Sequence, residues 1–227
     1  MKPCPRLAIA LVVATMCAAI RAGEGTQDGS ATPLRGKIVA VSDSLTNNGP
    51  DNWLALLAKK SPEIRVVAEA HGGWTTKSYF KPKFADVAFA KVPRDADLFI
   101  LLLGSNNLFE AGGGSDEAVR EATEGIEQIA AHLLKISSGA KIVLVAPPNV
   151  CLKNYKVETP KPTRRMEPDT PQYLQKLGQS YRALAQRKSW RFIDLFPVLG
   201  DDDFIDAAHP GKTGNQKMAA AIWHGLN

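Results

Sequence analysis

The chain has 227 residues, of which 44% are hydrophobic and 22% are charged. This length and composition predict one well-buried globular domain and argue against two. The formal net charge is +5 and the sequence pI is about 9.1, but the N-terminal segment supplies much of that excess. The high pI is therefore no argument for a nucleic-acid partner, and we expect none.

Residues 1–22 have the pattern of a signal peptide. Lys2 and Arg6 precede the apolar run LAIALVVATMCAAI, which covers residues 7–20 and is followed by small and polar residues. The run is short for a membrane span, which needs about 20 apolar residues, so an uncleaved anchor is the less favoured alternative. Cleavage would remove three basic residues and no acid, taking the formal charge from +5 to +2. We expect a secreted or periplasmic protein without stable membrane insertion after cleavage.

The mature chain is expected to have a single thiol. Cys4 and Cys17 leave with the signal peptide, which leaves Cys151 and excludes an intrachain disulfide. Export without disulfides suits a bacterial periplasm or exterior. Residues 23–35 are rich in Gly, Thr and Ser and are predicted to form a flexible lead-in to a domain at 36–227.

Apolar runs alternate with amphipathic segments along the predicted domain. Strands that are uniformly apolar, each separated by a helix, indicate a parallel sheet covered on both faces. We therefore predict an α/β fold, a three-layer α/β/α sandwich with a parallel five-stranded sheet. In chain order the predicted elements are a strand at 37–41, a helix at 51–60 with Asp51 as N-cap, a strand at 64–70, a short helix at 84–92, a strand at 97–104, a helix at 116–136, a strand at 141–148, a helix at 171–187, a strand at 191–196 and a helix at 212–226.

Residues 148–170 are predicted to be the one long irregular segment. Loops of this length are usually functional, and we expect this one to cover the site. Its basic residues are interpreted as a solvated surface, with attraction of an anionic substrate such as an acidic polysaccharide as the alternative. They are Lys153, Lys156, Lys161, Arg164 and Arg165.

Polar residues follow the predicted strands. Ligands of such sheets bind beyond the carboxyl ends of the strands, so these exits are where chemistry is expected. They supply a hydroxyl, flexible backbone, a side-chain amide, and an acid with an imidazole, which are the parts of an acyl-transfer site. The segments are SDS at 42–44, HGGWTT at 71–76, GSNNL at 104–108 and DAAHPGKTGN at 206–215.

Each of these residue types has a chemical reason to be there. A serine hydroxyl becomes nucleophilic when an imidazole removes its proton, and a carboxylate fixes the tautomer of that imidazole. Asp206 and His209 are close enough in sequence to form such a pair. Gly73 can offer a backbone N–H and Asn106 a side-chain N–H to the developing oxyanion, and one such donor is typically worth about 2.7–4 kcal/mol.

The same segments resemble a known family. SDSLT resembles the GDSL signature, GSNN resembles the Gly-x-Asn-Asp block, and DAAHPGKTGN resembles the terminal Asp-x-x-His block. The chain is therefore similar to the SGNH/GDSL hydrolases over essentially all of residues 36–227. The resemblance implies a flavodoxin-like SGNH hydrolase fold and a serine ester hydrolase that needs no cofactor.

The resemblance also implies roles for individual residues. Ser44 would be the nucleophile rather than Ser42, and its own N–H would contribute to the oxyanion hole. Gly73 would be the second donor, with Gly72 as the competing choice. The remaining roles are Asn106 as third donor, His209 as general base and Asp206 as its orienting partner.

Two positions depart from the family pattern. Ser42 replaces the glycine of the signature and adds a side chain that crowds the turn or forms a hydrogen bond near the nucleophile. Asn107 replaces the usual aspartate and removes a negative charge from a supporting position. Narrow specificity or loss of activity would be consistent with these departures.

Other side chains are weaker candidates. His71 beside Gly72 could touch the substrate, and the aromatic residues after it could form a stacking wall or pack in the core. Cys151 is a remote alternative nucleophile. The sequence has no paired His, Cys and Asp spacing, so we expect no metal site. The aromatic residues are Trp74, Tyr79 and Phe80.

The favoured interpretation is an exported esterase that removes acetyl or other small acyl groups from a carbohydrate. Its partners would be small-molecule or carbohydrate esters. A lysophospholipase or thioesterase is the enzymatic alternative, and a carbohydrate-binding module that has lost turnover is the alternative from another class.

Overall fold

The computed structural model describes residues 34–46, 49–155 and 165–227. The predicted signal peptide at 1–22 and nearly all of the lead-in at 23–35 lie outside them. A five-stranded sheet in the order β2-β1-β3-β4-β5 forms the centre, with every neighbouring pair parallel. The strands are β1 (Gly36–Ser42), β2 (Ile64–Ala70), β3 (Leu98–Leu102), β4 (Lys141–Ala146) and β5 (Arg191–Asp194), and the helices are α1 (Trp53–Ala58), α2 (Ser105–Glu110), α3 (Asp116–Ile136), α4 (Thr170–Lys188) and α5 (Lys212–Leu226).

Both faces of the sheet are covered by helices. Successive side chains of a strand point to opposite faces, and in β1 both sets are fully buried from Ile38 onward. Val39 and Val41 belong to a core with α3 and α4, whereas Ile38 and Ala40 belong to a second core with α1 and α5. The three central strands, β1, β3 and β4, are predominantly apolar for this reason, and the predicted three-layer α/β/α fold is confirmed.

The strand order places a crevice between β1 and β3. The chain passes from β1 to β2 on one side of it and then crosses to β3 on the other side. Because the connections that leave β1 and β3 diverge, a crevice opens at the carboxyl ends of these two strands. Ser44 follows β1 and Asn106 follows β3, so both lie at this crevice.

Most elements match the predicted ones within a few residues, but α1 does not begin where it was expected. The predicted N-cap, Asp51, is wrong, and Asn52 takes this position. The side-chain oxygen of Asn52 accepts hydrogen bonds from the backbone N–H groups of Leu54 and Ala55, both at 3.0 Å. A side chain that satisfies two otherwise unpaired N–H groups defines the start of a helix. The short helix α2 was not predicted.

The helix predicted at 84–92 is wrong. Only a short 3₁₀ helix at Pro82–Phe84 forms, and turns follow it. The buried carboxylate of Glu69 accepts hydrogen bonds from the backbone N–H groups of Phe89 and Lys91, at 3.2 and 3.0 Å. Phe89 also has a positive φ of 62°. At Phe89 and Lys91 bonds to β2 therefore take the place of helical ones, and this stretch is a second long irregular segment.

The irregular segment predicted at 148–170 is described in part. It contains a short 3₁₀ helix at Leu152–Asn154, and residues 156–164 lie outside the described residues, including Lys156, Lys161 and Arg164. Within the described ranges, no helix is both long enough and apolar enough to cross a membrane.

Candidate active site

Ser44, His209 and Asp206 form a continuous chain of hydrogen bonds. The Nε2 atom of His209 lies 2.9 Å from the Ser44 Oγ, and its Nδ1 atom lies 2.7 Å from Asp206 Oδ2. The serine and the histidine are 165 residues apart in sequence, so the fold alone brings them together. A hydroxyl, an imidazole and a carboxylate in this order can move a proton from the hydroxyl to the ring.

The carboxylate of Asp206 is fixed by its own turn. Its Oδ1 atom accepts hydrogen bonds from the backbone N–H groups of Ala208 and His209, at 2.8 and 2.7 Å. Partial burial raises the pKa of Asp206, but the hydrogen bonds from the His209 ring and the two N–H groups outweigh it and hold the pKa below its usual value. Asp206 is therefore ionised at neutral pH and orients the imidazole.

The loop between β5 and α5 is anchored to the rest of the domain. Lys217 of α5 donates a hydrogen bond at 2.7 Å to the buried carboxylate of Asp203. Asn215 donates to the carbonyl oxygens of Pro210 and Gly211, both at 3.0 Å. These contacts hold both ends of the segment that carries Asp206 and His209.

Ser44 lies in a turn directly after β1, and Asp43 shapes that turn. The carboxylate of Asp43 accepts a hydrogen bond from the backbone N–H of Leu45 at 3.0 Å, and its carbonyl accepts from Thr46 at 3.2 Å. Asp43 is fully buried, and burial raises its pKa to about 6 against the opposing effects of the Leu45 N–H, the charge of His209 and two polar side chains.

The two candidate oxyanion glycines occupy one tight turn. The N–H of Trp74 donates to the carbonyl of His71 at 3.2 Å, which closes the turn around Gly72 and Gly73. Gly73 has a positive φ of 77°, as the third position of a type II turn requires. Both glycines line the same pocket as Ser44.

Asn106 lies in the first turn of α2. Gly104 precedes this helix with a φ of 113°, and a Cβ at Gly104 would lie 2.4 Å from the Tyr181 hydroxyl. Only glycine fits this bend, which turns the chain directly from β3 into α2. The side-chain nitrogen of Asn106 lies 2.9 Å from Asp43 Oδ2 and 3.1 Å from the carbonyl oxygen of Trp74.

The structure also accounts for the two departures from the family pattern. Asn107 accepts a hydrogen bond from the backbone N–H of Thr76 at 3.1 Å and donates to its hydroxyl at 3.2 Å. The amide thus ties α2 to the segment after the glycine turn. Ser42 is fully buried, and among the described residues its hydroxyl has no hydrogen-bond partner. It fills space without adding a bond near Ser44.

Ser44, His209, Asn106 and the two glycines line a pocket of about 380 Å³. This volume falls in the range of small-molecule sites, which are mostly apolar with a few directed polar groups. Tyr155 and Arg165, which lie on either side of the undescribed residues 156–164, also line the pocket. The other lining residues are Ser44, Leu45, Gly72, Gly73, Ser105, Asn106, Phe109, Pro147, Pro148, Asn149, Val150, Met166, Ala208 and His209.

The weaker candidates do not line this pocket. The ring of His71 stacks on Trp74 at a centroid distance of 3.9 Å and pairs with the buried carboxylate of Glu69. Trp74 and Tyr79 pack against the core, and Phe80 is 43% exposed outside the pocket. Stacking on the substrate is therefore not supported for this cluster.

Cys151 and Lys153 lie apart from the pocket as well. Cys151 is buried and is a free thiol, so the alternative of a cysteine nucleophile loses support. Lys153 forms an ion pair with Asp201 at 2.6 Å. Within the part of the chain that is described, no group of three or more His, Cys, Asp or Glu side chains could hold a metal ion.

Sequence reasoning missed three buried polar residues that organise the site. Asp43, Glu69 and Asn215 are each at most 4% exposed. One signal was available for Asp43, since an acid placed directly after a uniformly apolar strand lies at the mouth of the sheet. Glu69 and Asn215 lie within a predicted strand and helix, where nothing in the local pattern distinguishes them.

Several solved structures share the fold. The carbohydrate acetylesterase Est24 from Sinorhizobium meliloti is 19% identical, with a TM-score of 0.66 over 85% of this chain and 98% of that chain. The aryl esterase of M. smegmatis is 20% identical, with a TM-score of 0.63 over 84% and 98%. A catalytic mutant of Axe2, an acetylxylan esterase from Geobacillus stearothermophilus, is 16% identical, with a TM-score of 0.62 over 86% and 97%.

No curated protein sequence matches this chain. The family model of the GDSL-like Lipase/Acylhydrolase family matches residues 30–217, a range that includes Ser44, Asp206 and His209. The match spans most of the chain, and the shared fold agrees with it. The chain therefore belongs to the GDSL-like Lipase/Acylhydrolase family and is a carboxylic ester hydrolase.

Proposed function

We propose that this protein is an exported serine esterase that cleaves its substrate through an acyl-enzyme on Ser44. The observation that carries the proposal is the hydrogen-bonded chain of Ser44, His209 and Asp206, of which Ser44 and His209 line the pocket. The sequence pattern of residues 1–22 supports export.

In the first half-reaction the Ser44 Oγ attacks the carbonyl carbon of the ester. The hydroxyl proton moves to His209 Nε2, which lies 2.9 Å away. The carbonyl oxygen becomes an oxyanion, and the tetrahedral intermediate collapses when the C–O bond to the alcohol breaks. His209 returns the proton to the departing alcohol, and the acyl group stays on Ser44.

In the second half-reaction water replaces the alcohol. His209 takes a proton from the water as its oxygen attacks the acyl carbon, and a second tetrahedral intermediate forms. The bond between Ser44 Oγ and the acyl carbon then breaks, and the proton returns to Ser44. The free acid leaves and the enzyme is restored.

Donors that line the same pocket would stabilise the oxyanion. The proposed donors are the N–H of Ser44, the N–H of Gly73 and the side-chain amide of Asn106, with Gly72 as the alternative glycine. Donors that are already in position need no reorganisation during the reaction. The turn around Gly72 and Gly73 and the anchored start of α2 supply this rigidity.

For the substrate we favour a small acyl group, such as acetyl, on a carbohydrate. Two of the proteins that share this fold are named as a carbohydrate acetylesterase and an acetylxylan esterase. Export would also place the enzyme among extracellular polymers. A specific observation favours the alternative of a lysophospholipase or thioesterase: Leu45, Phe109 and Met166 give the pocket apolar walls that suit a longer acyl chain.

The test compares hydrolysis of p-nitrophenyl acetate and p-nitrophenyl octanoate by the mature protein, followed by acetate release from acetylated xylan. Ser44→Ala is expected to lower kcat on the order of 10³- to 10⁶-fold with the fold intact. Ser42→Ala is the matched control, because it removes the neighbouring hydroxyl that has no bonding partner among the described residues.

The outcomes separate the three hypotheses. Faster turnover of acetate than of octanoate, with release from xylan, supports the carbohydrate esterase, and the opposite ratio supports the lipid or thioester alternative. Equal loss of activity in Ser44→Ala and Ser42→Ala would contradict the assignment of the nucleophile. A folded protein that hydrolyses no ester yet binds acetylated xylan equally well with Ser44→Ala would support the binding module.

A further inference from the structure

Asp43 is a buried acid for which the proposed mechanism has no use. It is fully buried beside Ser44, and none of the described Lys or Arg side chains forms an ion pair with it. Burial of a carboxylate without a cationic partner costs stability, and hydrogen bonds offset only part of that cost. A carboxylate that is kept buried at this cost in stability is expected to have a role in the site.

The two carboxylate oxygens of Asp43 contact different parts of the site. Oδ1 accepts from the N–H of Leu45 in the turn that carries Ser44. Oδ2 accepts from the side-chain amide of Asn106 at 2.9 Å and, more weakly, from the Ser105 hydroxyl at 3.4 Å. Asp43 therefore joins the residues that follow β1 to those that follow β3.

Asn106 also contacts the segment that follows β2. Its amide nitrogen lies 3.1 Å from the carbonyl oxygen of Trp74, the residue next to Gly73. An amide nitrogen carries two hydrogens, and in the resting structure both have an acceptor. Of the two acceptors, the Asp43 carboxylate is nearer and, when ionised, is the stronger.

We propose that Asp43 is a positioning residue that acts through Asn106, holding the side-chain amide in the orientation that lets it donate to the substrate oxyanion. This inference rests on the proposed function. The shorter bond to Asp43 stays in place during the reaction, while the hydrogen directed at Trp74 is shared with the oxyanion. Without the carboxylate only the bond to the Trp74 carbonyl holds the amide, and this is the bond that the oxyanion must share, so the oxyanion loses an oriented donor.

A double-mutant cycle tests the proposal. Asp43→Asn keeps the shape of the side chain but places a second amide against that of Asn106, and Asn106→Ala removes the group that Asp43 is proposed to hold. With p-nitrophenyl acetate, Asp43→Asn is expected to lower kcat about 10- to 100-fold with little change in KM, short of the 10²- to 10³-fold typical for a lost oxyanion donor. In the Asn106→Ala background the same change should lower kcat less than about twofold.

A control separates this effect from the loss of any structural carboxylate. Asp97 accepts a hydrogen bond from the backbone N–H of Lys37 at 2.7 Å, at the opposite end of the sheet. Asp97→Asn should leave kcat and KM unchanged. An equal loss of kcat from Asp43→Asn in the wild-type and Asn106→Ala backgrounds would overturn the proposal, because Asp43 would then act independently of Asn106.

A second measurement does not depend on activity. The side-chain amide of Asn106, assigned in a ¹⁵N-labelled protein from the signals lost in Asn106→Ala, should exchange its hydrogens slowly in the wild type and faster in Asp43→Asn. Unchanged exchange would overturn the inference. If the wild type hydrolyses no ester, the proposed function fails while this measurement still decides the role of Asp43.

A reversed pair covers the case in which Asp43→Asn does not fold. Asp43→Asn combined with Asn106→Asp again places an amide against a carboxylate. The combined variant is expected to unfold at a higher temperature than Asn106→Asp alone, in which two carboxyl groups face each other. No recovery of thermal stability would show that the two side chains are not coupled and would overturn the proposal.

Discussion

Asn215 accepts a hydrogen bond from the backbone N–H of Trp53 at 3.0 Å, although the two residues are 162 positions apart. The same side chain donates to Pro210 and Gly211, directly after His209. One buried amide therefore fixes the start of α1, the start of α5 and the loop that carries the imidazole. The position of His209 depends on this contact as well as on its own pair with Asp206.

Replacement of Asn215 by leucine should destabilise the protein. The change leaves the buried N–H of Trp53 without its acceptor and removes both bonds to the His209 loop. We expect the free energy of unfolding, measured by urea denaturation, to fall by about 2–4 kcal/mol. Gln216→Leu, at the exposed neighbouring position, should change it by less than about 0.5 kcal/mol. Similar values for the two variants would contradict the role of Asn215.

Asp206→Asn should lower kcat without unfolding the protein. The amide can present a donor to Nδ1 of His209, which favours the tautomer that cannot accept the Ser44 proton, and a loss of about 10²- to 10⁴-fold follows. The control is Asp202→Asn, a change at an exposed acid that lies outside the hydrogen-bonded chain. Initial rates on p-nitrophenyl acetate measure both, and a loss of less than fivefold in Asp206→Asn would argue against the carboxylate as the orienting group.

The stability of the protein should depend on pH through Asp43. Because burial raises the pKa of this carboxyl from 3.8 to about 6, the folded state holds the proton more tightly than the unfolded state. The contribution of Asp43 to stability is therefore fully present below pH 4 and is lost as pH rises through about 6. As pH rises through this window, the free energy of unfolding of Asp43→Asn should therefore increase relative to that of the wild type, by on the order of 3 kcal/mol.

Urea unfolding of the wild type and Asp43→Asn at pH 4, 5, 6, 7 and 8 measures this difference. Groups common to both proteins cancel, so the remaining slope belongs to Asp43. A constant difference across the series would show that the carboxyl has an ordinary pKa in the folded state.

The two glycines of the turn at residues 71–74, Gly72 and Gly73, should respond differently to alanine. Gly73 has a φ of 77°, whereas a Cβ at Gly72 would meet no atom within 4 Å. Gly73→Ala is expected to cost about 1 kcal/mol of stability because its backbone conformation is strained for alanine, and Gly72→Ala less than about 0.5 kcal/mol. Thermal unfolding compares them, and equal costs would contradict the turn geometry.

Kinetics of the same two variants identify the oxyanion donor. If Gly73 supplies the N–H, a shift of its peptide lowers kcat more in Gly73→Ala than in Gly72→Ala. A larger loss of kcat in Gly72→Ala would assign the donor to Gly72 instead.

Local sequence patterns were sufficient for much of the fold. The uniformly apolar strands predicted a parallel sheet buried on both faces, because only residues covered by helices on each side lack alternation. The bounds of α3, α5 and β2 follow from periodicity alone. The pair of Asp206 and His209 was also predictable, since residues three positions apart can meet within one turn of the chain.

The failures have a common physical cause. The segment at 84–92 has helical periodicity, but the carboxylate of Glu69 takes the N–H groups of Phe89 and Lys91, about 20 positions away. At α1, two neighbouring polar side chains could each have capped the helix, and Asn52 rather than Asp51 is the one whose oxygen reaches the N–H groups. Such competition between hydrogen-bond partners is decided by distances that local sequence does not contain.

The sequence by itself determined the layers of the fold, the strand exits that carry polar groups, and the residue types available for acyl transfer. Only the tertiary structure decided that Ser44 meets His209, that Asp43 is buried against Asn106, and which side chains enclose the pocket. The reason is that periodicity reports interactions within a few residues, whereas these contacts join segments that come together only when both cores of the sheet are packed.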